Sequence, residues 1–142
     1  MANRSTGVIR GGCLCGGVRF EIDRVTGPFE LCHCARCRKV SGSAFMAAVA
    51  VRTADFRFVS GEELIRRYDA PILESPPAYR VSFCERCGSV VPDPPPGAKG
   101  FEIAAGSLDD DPGIEPDKHI FVDYKSAWYP IADSLPQFTK AQ

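Results

Sequence analysis

Hydrophobic and polar residues alternate with period two through much of this chain. Val18, Phe20 and Ile22 are separated by Arg19 and Glu21, Phe56 and Phe58 by Arg57, and Tyr79, Val81 and Phe83 by Arg80 and Ser82. Each run predicts a half-buried β-strand, because successive side chains in a strand point to opposite faces. Phe45–Val51 is more continuously apolar and predicts a central strand, with further strands expected at Phe101–Ala105 and Ile120–Val122. Turn signals separate these runs at Gly16-Gly17, Gly27-Pro28, Ser60-Gly61 and Pro92–Gly97. Only Cys34–Val40 predicts helix, of one or two turns, and the residues after Phe138 are expected to be loose. The predicted fold class is mainly β, rich in short strands and irregular connections.

Composition narrows the function without naming it. At 142 residues the chain is expected to form a single domain, residues 1–142. Its 17 basic and 18 acidic residues nearly balance, so neither nucleic acid nor an anionic membrane is expected as a partner. No apolar run approaches the roughly 20 residues of a membrane span, and the start, MANRSTGVIRGG, has no apolar secretory stretch. The expected location is therefore the cytosol, where thiols are kept reduced.

The seven cysteines change this picture most. They form C-x-C at Cys13 and Cys15, C-x-C-x-x-C at Cys32, Cys34 and Cys37, and C-x-x-C at Cys84 and Cys87. An odd count in a reducing compartment argues against a disulfide framework. Short spacings instead deliver paired thiolates to a metal about 2.3 Å from each sulfur. Two partitions satisfy the counting. In one, Cys13, Cys15, Cys84 and Cys87 close a structural site, and Cys32, Cys34 and Cys37 hold a second metal with an open position. In the other, Cys34 and Cys37 join Cys84 and Cys87 as a zinc ribbon. The interval between those pairs far exceeds the usual ribbon loop of about 15–20 residues, which favours the first partition.

A zinc held by three thiolates is a poor Lewis acid but suits an incoming thiol, which it would keep as thiolate. Arg36, Arg38 and Lys39 crowd the same segment and are candidates to dock substrate carboxylates, although a solvated turn explains them equally well. His33, between two ligands, is expected to point away from the metal as a supporting or packing residue, and His119 to be structural. Ser41 and Ser43 are candidate donors to an alkoxide, with loop formation as the simpler role. Trp128 and Tyr129 are expected in the core, with the mouth of the open site as the alternative.

Taken together, GGCLCGGVRFEI, CHCARCRKVSGSAF, FCERCGS, AAGSLDD and HIFVDYKSAWYPIADSLPQF resemble the glutathione-dependent formaldehyde-activating enzyme family, whose domain is shared with centromere protein V. The resemblance runs from about Gly11 to Phe138, which implies a domain core over about 11–138, and it implies an Mss4-like fold of small antiparallel sheets in a tent-like arrangement stapled by zinc. It implies two Zn2+ per chain, structural at Cys13, Cys15, Cys84 and Cys87 and catalytic at Cys32, Cys34 and Cys37. The implied activity is that of a carbon–sulfur lyase, joining glutathione or another small thiol to formaldehyde or a related small aldehyde, or the reverse. The main alternative is a non-catalytic zinc-stabilised β scaffold for protein or small-molecule binding. Metal handling or redox sensing by Cys32, Cys34 and Cys37 is a third reading.

Overall fold

The computed structural model describes residues 7–73 and 78–141. Among these described residues, nine strands form three small sheets, accompanied by one short α-helix. The first sheet has the order β1 (Ile9–Gly12), β2 (Arg19–Ile22), β5 (Phe56–Ser60), with both pairings antiparallel. The second has the order β8 (Gly100–Ala104), β4 (Met46–Arg52), β3 (Phe29–Cys32), β9 (Lys118–Ile120), and only the β3–β9 pairing is parallel. The third is the hairpin-like pair of β6 (Ile65–Asp69) and β7 (Arg80–Cys84).

Alternation explains the main core. Phe20 and Ile22 of β2 meet Phe29, Leu31, Val49, Val51 and Ile103 of the four-stranded sheet. Phe56 links them through ring contacts with Phe20 at 5.5 Å and Phe101 at 5.2 Å. Burial of such apolar surface contributes about 25 cal/mol per Å² to folding.

The other face of the four-stranded sheet has a different character. Cross-strand partners share a face, and the register aligns Cys32 with Met46, Glu30 with Ala48, Ala48 with Ala104, and Ala50 with Glu102. This face therefore carries small alanines, two glutamates and one cysteine. It forms the floor of a cleft of about 510 Å³, whose opposite wall is β7 and residues 90–95. The proline-rich segment is thus a cleft wall, with Asp93 and Pro95 among its lining.

The helix α1 (Ala35–Ser41) starts where the backbone of Cys34 is extended, and the Cys34 sulfur accepts the N–H of Cys37 at 3.3 Å. Gly42 ends it in the left-handed region, at φ 66°, a conformation that costs other residues more. The predicted strand at Ile120–Val122 is displaced: β9 ends at Ile120, and Val122–Tyr124 form a 3-10 turn. Strands β1, β3 and β6 lack a two-residue period strong enough to predict them.

Candidate metal centres and active site

The cysteines gather in two groups. The sulfurs of Cys13, Cys15, Cys84 and Cys87 all lie within 4.8 Å of one another, and so do those of Cys32, Cys34 and Cys37. Cys34 and Cys37 are therefore not grouped with Cys84 and Cys87 as a ribbon would require.

The four-cysteine group joins two sheets. Cys13 and Cys15 follow β1, whereas Cys84 ends β7 and Cys87 sits in the turn beyond it. That turn closes through the N–H of Gly88 donating to the Cys84 carbonyl at 2.8 Å, with Gly88 at φ 76°. Cys13 and Cys15 sulfurs are 3.5 Å apart, and Cys15 and Cys84 sulfurs 3.8 Å. Tetrahedral zinc with bonds of about 2.3 Å requires sulfurs about 3.8 Å apart, so this donor set fits. The backbone is prepared for thiolates as well. Val18 N–H donates to the Cys13 sulfur at 3.2 Å and Gly17 N–H to the Cys15 sulfur at 3.4 Å. Hydrogen bonds from the Ser89 hydroxyl and amide, and then the Cys15 amide, hold Cys87 down to about 5. Val18, Leu64, Ile65 and Val91 pack around the group.

The three-cysteine group comes from one short stretch. Cys32 ends β3, Cys34 caps α1, and Cys37 lies in the first turn of α1. Its donor set also fits a thiophilic metal, with one donor fewer than the usual four. All three residues line the cleft. Hydrogen bonds from Cys32 and then Cys37 hold Cys34 down to about 2, while the same sharing pushes Cys32 up. Tyr79 places its hydroxyl 3.4 Å from the Cys37 sulfur. Burial, then the neighbouring Cys37, raises the Tyr79 pKa, so this hydroxyl keeps its proton. The guanidinium of Arg36 lies 5.0 Å from the centre of the Tyr79 ring, at the cleft.

The description of the matching family model is glutathione-dependent formaldehyde-activating enzyme, and the match spans residues 8–124. The chain belongs to this family. Membership classes it with carbon–sulfur lyase-type enzymes. A Halomonas elongata protein provisionally named for the same activity is 34% identical over 132 residues, covering 87% of this chain and 81% of the relative. A crystal structure of a Rhodobacter sphaeroides protein is similar in fold, with TM-score 0.51 and 23% identity over 75% of this chain and 91% of that one.

The remaining sequence candidates divide. Of the basic run, Arg36 lines the cleft, whereas Arg38 and Lys39 are not among the residues lining it. Ser41 serves the loop: its hydroxyl donates to the carbonyls of Arg38 and Phe45, and its oxygen accepts the N–H of Ser43. Trp128 is 70% exposed, so the core expectation is wrong for it; Tyr129 is half-buried against Phe45 and His33. The proline that follows, Pro130, and the exposed Ala127 leave Trp128 on an outer turn rather than in a strand.

His33 and His119 form a network that their sequence neighbours do not reveal. Both are fully buried, with His33 Nε2 2.8 Å from His119 Nδ1 and His119 Nε2 3.0 Å from the Asp133 carboxylate. Burial, and then His119, pull the His33 pKa down to about 4. The chain of bonds ties the Cys32–Cys34 turn to the C-terminal segment. Tyr79, Glu30 and Glu102 are further cleft residues not predicted as site residues, because contributions from separate strands carry no local spacing signal.

Proposed function

We propose that this protein is a zinc-dependent enzyme that adds a small thiol, such as glutathione, to formaldehyde or a related small aldehyde, or reverses that addition. The observation that carries the reading is a three-thiol group opening on a cleft of about 510 Å³, a volume suited to a small molecule. Cys32, Cys34 and Cys37 would hold the catalytic zinc; Cys13, Cys15, Cys84 and Cys87 would hold a structural one within a single Mss4-like domain. Bound at three thiolates, zinc supplies a site that favours a substrate sulfur in its thiolate form.

The protein's own residues account for the rest of the chemistry. The reaction forms a carbon–sulfur bond between thiol and aldehyde, and the thiol proton ends on the former aldehyde oxygen. The cleft holds the two reactants together, which can remove several kcal/mol from the barrier of a bimolecular encounter. Val81, Val90 and Ile120 line it and limit water. Tyr79 retains its proton beside Cys37 and is placed to donate a hydrogen bond to the oxygen as negative charge develops there. Arg36 offers a fixed cation for a substrate carboxylate.

Exchange NMR of glutathione with formaldehyde tests this reading. The protein should raise the rate of interconversion between free thiol and hydroxymethyl thioether above the buffer rate, and Cys34→Ser should abolish the increase. An unchanged exchange rate with zinc-loaded wild type would contradict the reading.

A further inference from the structure

All sulfurs of the three-cysteine group come from Cys32–Cys37, so no distant segment holds them in register. The Cys37 N–H, donating to the Cys34 sulfur at 3.3 Å, fixes one pair through the first turn of α1. Cys32 stands outside that turn, at the end of β3, and its direction relative to Cys34 depends on residue 33 between them. The three cysteines line the cleft, whereas His33 is not among its lining. Its ring packs behind them against Phe45 and Tyr129, at 5.3 and 6.3 Å between ring centres.

The polar partners of that ring follow from donor chemistry. A carboxylate only accepts, so His119 donates to Asp133 from Nε2 at 3.0 Å. The neutral His119 ring then accepts at Nδ1 from His33 Nε2 at 2.8 Å. His33 Nδ1 is buried with no hydrogen-bond partner among the described residues. An apolar ring at position 33 would avoid that cost, so the contribution of the imidazole lies in its Nε2 bond. Asp133 is itself held, since Leu135 N–H donates to its Oδ1 at 3.0 Å. The hydrogen bond from His119, and then that from Leu135, lower its pKa and keep it an acceptor. Backbone bonds brace the same path. His33 N–H donates to the Ile120 carbonyl at 3.0 Å, and His119 N–H to the Pro136 carbonyl at 2.9 Å.

We propose that Asp133 is a positioning residue for the three-cysteine centre: acting through His119 and His33, it fixes the angle between Cys32 and Cys34 and so sets how tightly that centre holds its metal. The inference rests on reading Cys32, Cys34 and Cys37 as metal ligands, and it extends their support to a carboxylate at the protein surface. Groups that orient metal ligands from behind change metal affinity by roughly 10–100-fold when removed. The Asp133 side chain is 42% exposed, so its loss leaves the apolar core intact and separates metal affinity from stability.

Zinc competition with a chromogenic chelator tests the assignment on the full chain, with Tm measured in parallel. Asp133→Ala should weaken zinc at the three-cysteine centre about ten-fold and leave the four-cysteine zinc and Tm nearly unchanged. Asp133→Asn, which keeps an acceptor oxygen without the charge, should recover part of that loss. Cobalt loading adds a signature that stability alone does not move: the visible bands of cobalt at the three cysteines should shift in Asp133→Ala. Unchanged affinity and cobalt bands, with or without a lower Tm, would overturn the role of Asp133 and leave the metal reading standing. Equal weakening of both centres would do the same, as would wild-type affinity in Asp133→Asn if Asp133→Ala failed to fold. A wild-type chain that takes up only one zinc would overturn both.

Discussion

The two cysteine groups use the same side chain for opposite architectural ends. The four-cysteine group draws its sulfurs from two positions far apart in the chain, after β1 and at the end of β7, and so joins two sheets. The three-cysteine group draws all its sulfurs from Cys32–Cys37 and joins nothing distant. It faces a cleft instead, beneath Tyr79 and Arg36. Where donors come from decides what a metal does. A metal bridging remote segments contributes its binding energy to folding, and one held by a single turn leaves the fold nearly independent of it.

The sharpest way to break this contrast is to remove one sulfur from each group. Cys84→Ser should destabilise the protein drastically, lowering Tm by more than about 10 °C or preventing folding, as measured by thermal circular dichroism. Cys34→Ser should lower Tm by only a few degrees, yet reduce exchange catalysis at least about 100-fold in the NMR assay and release one zinc. Equal destabilisation by the two substitutions would erase the distinction.

A pH test reaches the scaffold behind the three-cysteine turn. His33 has its pKa lowered to about 4 by burial, against about 6.5 when unfolded. The unfolded chain therefore binds the extra proton first. Stability from neutral His33 is fully present above pH 6.5 and is lost as pH falls from there towards 4, on the order of 3 kcal/mol in all. Denaturant unfolding across that window should show a smaller loss for His33→Phe than for wild type; parallel curves would contradict the assignment. The smallest expected effect is at Tyr79. Tyr79→Phe should reduce exchange catalysis about ten-fold with Tm nearly unchanged, and full activity would exclude the hydroxyl from the reaction.

Much of the fold was legible in the sequence because half-buried strands leave a period-two trace. That trace marks β2, β5 and β7 directly, and the apolar run of Phe45–Val51 marks the inner strand β4. Strand β3 escaped because it is buried on both faces, with Glu30 in the cleft and Leu31 in the core. Strand β1 is half glycine and β6 is mostly exposed, so neither shows alternation. The cysteine spacing pointed to two groups before any coordinates, since ligands from one turn must be close in sequence. The cleft was not legible. Glu30, Tyr79 and Glu102 converge only through the register of β3, β4 and β8 and the packing of β7 over that sheet. The His33–His119–Asp133 chain likewise depends on the parallel pairing of β3 with β9, which no local pattern announces.

Native mass spectrometry of the freshly purified protein, after addition of zinc, tests the central claim most directly. The account predicts two zinc ions per wild-type chain and one per Cys34→Ser chain, with the charge-state distribution of a folded protein in both. A single zinc in wild type, or unfolding of Cys34→Ser, would contradict it.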